Sequence, residues 1–222
     1  GRGGVRAGGR RAVGGGRGPR VGGGCVGGTG GGAEGGAGVV VDERVDAVDI
    51  TGGHRTYDAV VGGSGEEGER RRAAGTPLLG KPVTAELGCV SPVLIVPERW
   101  DRADLNAQAR SVAGMVANNG SFNCNAAKVI LTSRHWPQRE AFLRELREAL
   151  AGAPLRQAWY PGAADRWAKF AERYPQTESY GGEDGATPEG ALPWAFIPEV
   201  PAEAGELALT EESFCGVVAE CP

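Results

Sequence analysis

The stretch Asn118–Ser133, NNGSFNCNAAKVILTS, separates a helical pattern from a strand pattern. Before it, apolar residues recur at spacings of four, three and four, which marks one face of a helix that Asp101 is placed to cap. These apolar residues are Leu105, Ala109, Val112 and Val116. Asn118, Asn119 and Gly120 end the helix. The run KVILTS that follows is apolar and β-branched, which predicts a buried strand.

Strand and helix patterns alternate on both sides of this turn. SPVLIVP, residues 91–97, predicts a strand buried on both faces, and a further strand is expected over about residues 45–51. Helices are expected over about residues 137–151 and 163–174, with one short helix before Gly62. Because strands and helices alternate, the predicted fold class is α/β with a largely parallel sheet.

The glycines are concentrated at the amino terminus. The chain has 222 residues and 39 glycines, well above the roughly 7% of average usage, and about half of them precede Val39. A segment of Gly and Arg buries too little apolar surface to offset the entropy of ordering its backbone, so residues 1–32 are expected to be a disordered, low-complexity segment. Such a basic arm can bind RNA. It lacks interleaved Phe or Tyr, which disfavours nucleic acid as a partner.

The cysteine and hydropathy patterns exclude several kinds of site. The five cysteines are odd in number, no Cys-x-x-Cys occurs and no histidines cluster, so neither a disulfide framework nor a metal site is predicted. No apolar run approaches the roughly 18 residues of a membrane span, and no signal-peptide pattern occurs. A soluble, cytoplasmic protein without a membrane partner is therefore expected.

Cys124 and Glu86 are the two residues whose positions suggest chemistry. A cysteine beside a buried strand is more often a packing residue than a nucleophile, but Cys124 lies in a Gly- and Asn-rich turn, where backbone N–H groups can stabilise a thiolate. A glutamate before a strand is more often a solvated carboxylate, whereas a partly buried Glu86 would be a usable general base. The other cysteines lack such a setting and are interpreted as packing residues. They are Cys25, Cys89, Cys215 and Cys221.

Four segments together resemble the aldehyde dehydrogenase superfamily. ELGCVSP, residues 86–92, resembles its Glu-Leu-Gly-Gly-Lys-Ser-Pro signature, and NNGSFNC, residues 118–124, resembles its Asn-x-Gly-Gln-x-Cys segment. VDAVDITGG, residues 45–53, is similar to the family's Phe-Thr-Gly-Ser strand and turn, and EESFCGVV, residues 211–218, to its Glu-x-Phe-Gly-Pro segment. The four segments follow the family's order, and the resemblance covers about residues 31–222.

The resemblance implies a role for each matching residue. Cys124 would be the nucleophile and Glu86 the general base. The implied reaction oxidises an aldehyde to a carboxylic acid through a thiohemiacetal and a thioester on the cysteine, and water activated by Glu86 hydrolyses the thioester. The cofactor would be NAD or NADP, with Glu212 on its ribose. The cofactor-binding residues would be Thr51, Gly52, Gly53, Leu87, Glu212 and Phe214.

The resemblance also implies a domain order. A partial Rossmann-type nucleotide-binding piece is expected over residues 33–84, followed by an incomplete α/β catalytic domain over residues 85–222. Family members are longer, so the chain is expected to be a fragment. An intact member would form a homo-oligomer.

Departures from the family pattern leave alternatives open. Cys89 and Val90 replace a glycine and a lysine of the signature, and the glutamine before the cysteine is missing, with Ser121 and Phe122 in that region. One alternative is a non-catalytic remnant that binds a partner through its basic arm or an exposed surface. Another is a relative that passes the thioester to coenzyme A. Glu86 disfavours the latter, because such an enzyme needs no hydrolytic base.

Overall fold

A computed structural model describes most of the chain. The described residues are 38–181 and 188–222, together with the backbone of 5–10 and 23–27. Most of the stretch 1–32, for which the composition predicts disorder, lies outside the described residues. Its two described segments, Val5–Arg10 and Gly23–Gly27, are strands.

Two compact units make up the fold, and the chain passes from one to the other between Gly88 and Cys89. Residues 2–88 are named the amino-terminal unit here, and residues 89–222 the carboxyl-terminal unit. The expected nucleotide-binding piece and catalytic domain remain predictions, because they are defined by the roles that the family resemblance implies and not by compactness.

The amino-terminal unit is built on one mixed sheet. Its elements are β1 (Val5–Arg10), β2 (Gly23–Gly27), β3 (Ala47–Gly52), α1 (His54–Val61), α2 (Gly65–Ala74) and β4 (Val83–Leu87). The sheet order is β2-β1-β3-β4, in which β3 and β4 are parallel and β1 is antiparallel to both of its neighbours. Along β3, Val48 and Ile50 are buried between exposed residues, as in a strand with one covered face.

Two helices stand where the sequence predicts one. The short helix expected before Gly62 is confirmed by α1, and α2 was missed. Gly63 between them has a φ of +89°, a left-handed conformation that glycine adopts without strain and that ends α1. The charged run that follows forms α2, in which Glu67 pairs with Arg70 and Arg71 one turn later.

The carboxyl-terminal unit is built on a five-stranded sheet. Its elements are β5 (Ser91–Leu94), α3 (Arg102–Ala117), β6 (Ala127–Leu131), α4 (Arg139–Ala151), α5 (Ala163–Arg173), β7 (Glu178–Tyr180), β8 (Trp194–Ile197), α6 (Leu207–Thr210) and β9 (Val217–Cys221). The sheet order is β5-β6-β9-β8-β7, with only β7 antiparallel to its neighbour. The predicted α/β class with a largely parallel sheet is confirmed.

Both faces of the central strands are covered. All residues of β8 and β9 are buried, and successive residues alternate between two hydrophobic clusters. Phe196 and Val218 pack with α3 and α4, whereas Ile197 and Ala219 pack with α5 and α6. β6 is buried along most of its length, which confirms the strand predicted for KVILTS.

The prediction that SPVLIVP is buried on both faces is wrong. The strand exists as β5, but it lies at the edge of the sheet beside β6, and Leu94 and Val96 are 69% and 57% exposed. Val93 and Ile95 pack into the cluster that includes α3 and α4. The opposite cluster draws its described residues from other elements, so the helices cover only one face of the chain at this edge.

Candidate active site

A turn with left-handed backbone leads from α3 to β6. Asn119, Gly120 and Ser121 follow the end of α3 with φ angles of +53°, +66° and +68°. Glycine adopts this conformation freely and asparagine often does, whereas other residues incur a cost of about 1 kcal/mol. Ser121 is therefore the strained residue. Residues 118–124 are named the Cys124 turn, because they end at Cys124 just before β6.

Lys128 holds the strained part of the Cys124 turn. Its side chain is buried, at 4% exposure, and its ammonium group donates to the carbonyl oxygen of Ser121 at 3.0 Å and to the hydroxyl oxygen at 2.9 Å. Asn119 Nδ2 also donates to Asn123 Oδ1 at 3.1 Å. The sequence analysis missed Lys128. The sequence does contain a sign of its role, a single lysine in the apolar run AAKVIL. A lysine in a buried strand requires polar partners nearby.

The interior around Lys128 is electrostatically unusual. Burial lowers the pKa of Lys128 to about 8, although the nearby Glu212 carboxylate opposes this effect. Burial also raises the pKa of the Cys215 thiol to about 11. Since the thiolate is the nucleophilic form, Cys215 is unsuited to attack, which agrees with its interpretation as a packing residue.

Cys124 is exposed, and its backbone is tied to the segment before β5. Its carbonyl oxygen accepts hydrogen bonds from Cys89 Sγ at 3.2 Å and from Ser91 Oγ at 3.1 Å. Cys89 is exposed as well, so its interpretation as a packing residue is wrong. Cys221 is buried, as that interpretation requires. The side chain of Cys25 lies outside the described residues.

The segment EESFCGVV contacts the Cys124 turn through aromatic rings. Phe214 packs edge-on against Tyr160 and against Phe122, with ring centroids 4.7 and 5.9 Å apart. Phe122 belongs to the Cys124 turn, so these contacts join the two segments. Arg166 fixes the backbone of the segment by donating from Nε to the carbonyl of Ser213 at 2.8 Å and from Nη2 to that of Phe214 at 3.1 Å.

The carboxyl-terminal unit therefore gathers part of the predicted site. Phe214 is half-buried against the Cys124 turn, and Glu212 interacts electrostatically with Lys128, which supports that turn. Arg166 and Tyr160 were missed by the sequence analysis. An arginine and a tyrosine have no local pattern that reveals a contact with a segment about 50 residues later.

The amino-terminal unit gathers the rest of the predicted residues. In the parallel register of β3 and β4, Thr51 pairs with Glu86 and Gly52 with Leu87, so all four lie at the carboxyl ends of adjacent strands. Gly53 follows directly at the start of α1. Glu86 is exposed. The partial burial that the sequence analysis required of a general base is therefore not found.

Among the residues that the structure describes, no three histidine, cysteine or acidic side chains come together as metal ligands. The described helices include none that is long and apolar enough to cross a membrane.

Comparisons with known proteins identify the fold family. The family model of the aldehyde dehydrogenase family matches residues 25–169. No curated protein matches the sequence. Among solved structures, an indole-3-acetaldehyde dehydrogenase in complex with NAD+ is 19% identical, with a TM-score of 0.62, and the match covers 84% of this chain and 37% of that one.

Two other solved structures give similar values. An NADP-dependent glyceraldehyde-3-phosphate dehydrogenase from Bacillus halodurans, complexed with NADP, is 16% identical with a TM-score of 0.61, over 84% of this chain and 36% of that one. The aldehyde dehydrogenase KauB from Pseudomonas aeruginosa is 19% identical with a TM-score of 0.60, over 83% and 37%. The chain thus spans a little over a third of the length of these structures.

The matched residues make up more than half of the sequence, and the structural similarity extends over most of the described chain. The chain belongs to the aldehyde dehydrogenase family.

Proposed function

We propose that this chain carries catalytic residues of an NAD(P)-dependent aldehyde dehydrogenase, which oxidises an aldehyde to a carboxylic acid. The observation that carries the proposal is the Cys124 turn. An exposed cysteine follows three left-handed residues, and the buried Lys128 holds that backbone in place. In a chain of this family, we expect such a turn to present a reactive thiol.

Cys124 is the proposed nucleophile. Its side chain is exposed, so an aldehyde can reach the sulfur. The thiolate adds to the carbonyl carbon and forms a thiohemiacetal, and loss of hydride from that carbon leaves a thioester on the cysteine. Hydrogen bonds from Lys128, Cys89 and Ser91 fix the backbone of the turn, so the backbone that carries the sulfur starts each turnover from a defined position.

Glu86 is the proposed general base, on the ground of its match to the Glu-Leu-Gly signature of the family and not of burial. Its carboxylate lies at the end of β4, and its proposed role is to take a proton from the water that attacks the thioester. The products are the carboxylic acid and the free thiol of Cys124. The presence of this carboxylate favours hydrolysis over transfer to coenzyme A.

The residues proposed for NAD or NADP fit a nucleotide. In the amino-terminal unit, Thr51, Gly52 and Leu87 lie at the carboxyl ends of adjacent parallel strands, the edge of a sheet at which nucleotides bind. A Cβ atom built at Gly53 would meet no atom within 4 Å, so a ligand can approach the backbone there. The cofactor, when bound, accepts the hydride that the substrate loses.

In the carboxyl-terminal unit, Glu212 is the proposed partner of the cofactor ribose and Phe214 the proposed contact of its nicotinamide. Arg166 fixes the backbone on both sides of the Phe214 peptide, so the ring is held by its own backbone as well as by Tyr160. Two of the three structures described above contain NAD+ or NADP, which supports the use of one of these two cofactors.

The test is reduction of the dinucleotide by the purified chain. Aldehydes of increasing size are mixed with NAD+ or NADP+, and absorbance of the reduced cofactor is recorded. Turnover is expected for the unchanged chain and for Cys25→Ala, a variant of a cysteine without a proposed role. It should be abolished in Cys124→Ala and strongly reduced in Glu86→Gln. Equal rates in the unchanged chain and in Cys124→Ala would contradict the proposal.

Binding of the cofactor is tested separately by calorimetry. Glu212→Ala should weaken NAD or NADP binding, and Glu211→Ala, a change at the adjacent exposed ion pair with Lys169, should not. The same affinity in both variants would remove Glu212 from the proposed cofactor site.

A further inference from the structure

Cys89 and Cys124 are two exposed cysteines that lie side by side in the carboxyl-terminal unit. The residues are 35 positions apart in sequence, but Cys89 Sγ donates to the carbonyl oxygen of Cys124 at 3.2 Å. Ser91 Oγ contacts both, at 3.2 Å from Cys89 Sγ and 3.1 Å from the same carbonyl. The parallel register of β5 and β6 pairs Ser91 with Ala127, and this pairing brings the segments that precede the two strands side by side.

The Cys89 sulfur lies close to the backbone of Cys124. A carbonyl oxygen lies about 2.4 Å from the Cα atom of its own residue, so the Cα atom of Cys124 is at most about 5.6 Å from Cys89 Sγ. In a disulfide the two Cα atoms are about 4.4–6.8 Å apart, a separation that the contact between the Cys89 sulfur and the Cys124 carbonyl allows. Both residues lie in loops and are exposed, and an exposed side chain changes rotamer readily.

The other described cysteines are excluded from such a reaction by burial. Cys215 and Cys221 are 0% and 4% exposed, and burial raises the pKa of both thiols. A hydroperoxide in solution therefore meets Cys89 and Cys124 first. Among the described cysteines, burial therefore restricts oxidation by peroxide to Cys89 and Cys124.

We infer that Cys89 is a resolving thiol for Cys124, so that a hydroperoxide converts the pair into a Cys89–Cys124 disulfide. The Cys124 thiolate attacks the terminal oxygen of the peroxide and the O–O bond breaks. The sulfur is oxidised by two electrons to a sulfenic acid, and the peroxide is reduced to water or an alcohol. The Cys89 thiol then attacks the sulfenic sulfur, the S–S bond forms and water leaves. With hydrogen peroxide, two thiols and one peroxide give one disulfide and two waters.

The disulfide is an oxidised form of Cys124 that a thiol can reduce. Without a resolving thiol, a sulfenic acid can react with a second peroxide to give a sulfinic acid, which a thiol does not reduce. A dithiol reductant exchanges with the disulfide and restores both cysteines. Oxidation at this site thus switches the nucleophile off reversibly and shields it from irreversible damage.

Mass spectrometry of the full chain tests this inference without any need for turnover. The reduced chain is treated with one equivalent of hydrogen peroxide and digested with trypsin. The peptides that carry the two cysteines are residues 73–99 and 111–128, each with a single cysteine. They should appear linked in the unchanged chain, with a loss of about 2 Da from the intact mass, and separate again after treatment with a dithiol.

Cys89→Ser is the decisive variant and Cys25→Ser its matched control. Cys89→Ser should form no link with one equivalent of peroxide. With an excess of hydrogen peroxide, of which two equivalents are consumed, it should accumulate sulfinic acid on Cys124, a gain of about 32 Da, at a rate about tenfold or more above that of the unchanged chain. Cys25→Ser should behave as the unchanged chain does. Equal rates of sulfinic acid formation with and without Cys89, or links between chains only, would overturn the inference.

The outcome is independent of the proposed activity. A chain that forms the disulfide but reduces no dinucleotide contradicts the dehydrogenase proposal alone. A chain that oxidises aldehydes, yet forms sulfinic acid on Cys124 as fast as Cys89→Ser does, contradicts the resolving role alone.

Discussion

The two units differ in how deeply they bury their strands. In the carboxyl-terminal unit every residue of β8 and β9 is buried between two layers of helices. In the amino-terminal unit β3 is buried on alternate residues and β4 is mostly exposed. Its described core is a small cluster of Val40, Val45, Val48, Ile50 and Leu79. Stability is therefore expected to reside in the carboxyl-terminal unit, which also carries Cys124.

Polar groups follow the same division. Glu220, at 0% exposure, and Arg139 form an ion pair inside the carboxyl-terminal unit. In the described part of the amino-terminal unit, the pair of Asp42 and Arg44 lies at the surface. A buried charge is tolerated only when its partners are fixed by surrounding packing, so the internal pair is a further sign of a well-packed unit.

The largest effect is expected from removing one charge of the buried pair. Glu220 accepts from Arg139 Nη2 at 2.8 and 2.9 Å and from the backbone N–H of Glu199 at 3.1 Å, and the Thr132 hydroxyl donates to it as well. Glu220→Ala leaves the Arg139 guanidinium buried without its main partner. The free energy of unfolding should fall by about 3–5 kcal/mol, measured by urea denaturation.

A half-exposed pair of the same unit provides the control. Arg147 donates to Glu178 in a bidentate manner at 2.8 and 2.9 Å, and both side chains are about 30% exposed. Because solvent screens such a pair, Glu178→Ala should lower the free energy of unfolding by no more than about 1 kcal/mol. Equal losses in the two variants would show that burial does not govern the strength of these pairs.

Amide hydrogen exchange compares the two units directly. Backbone amides of β3 and β4 should exchange at least about tenfold faster than those of β8 and β9, because local opening is easier where few apolar contacts must be broken. The measurement is peptide-resolved exchange on the intact chain. Uniform protection across both units would mean that they open as one cooperative body. It would contradict the expectation that the carboxyl-terminal unit is the more stable of the two.

The sequence predicted what depends on local pattern. The stripe of α3, its cap at Asp101, which accepts the N–H of Asp104 at 2.9 Å, and the buried strand β6 follow from spacing and composition. The exposure of Leu94 was not predictable, because an apolar run looks the same at the edge and at the centre of a sheet. Sheet order is set by pairing between distant segments, and no local pattern encodes it.

The site shows the same limit. Cys124 and its turn are visible in the sequence as a cysteine in a segment rich in asparagine and glycine. The partner of that turn, Cys89, was interpreted as a packing residue, since only the pairing of Ser91 with Ala127 brings it close. Likewise, Lys128 supports the left-handed conformation of Ser121, which becomes apparent only when backbone angles are known.

The conformation of Ser121 predicts a difference between two small substitutions. Ser121→Gly and Ser121→Ala both remove the hydroxyl that accepts from Lys128, but only glycine accommodates a φ of +68° without strain. The glycine variant should therefore be more stable than the alanine variant by about 1 kcal/mol. Thermal or urea denaturation of the two proteins measures it, and a more stable alanine variant would contradict the assigned strain.

A change of stability with pH is also expected. The pKa of Lys128 falls from 10.5 to about 8 on folding, so between these values the unfolded chain binds more protons and the free energy of unfolding rises with pH. The pKa of Cys215 rises from 9.0 to about 11, so above pH 9 the folded chain binds the extra proton and this rise is opposed. Stability should therefore increase by less than about 1.4 kcal/mol from pH 8 to pH 9 and level off above it.

Lys128→Met and Lys169→Met separate this effect from other titrations. Lys128→Met removes the buried ammonium and should abolish the increase between pH 8 and pH 9. Lys169 is about half exposed and pairs with Glu211 at 2.5 Å, so Lys169→Met should keep it. An increase that survives in Lys128→Met would assign it to another group. A profile that is flat in the unchanged chain would show that water reaches Lys128, and the Cys124 turn would then rest on a solvated lysine.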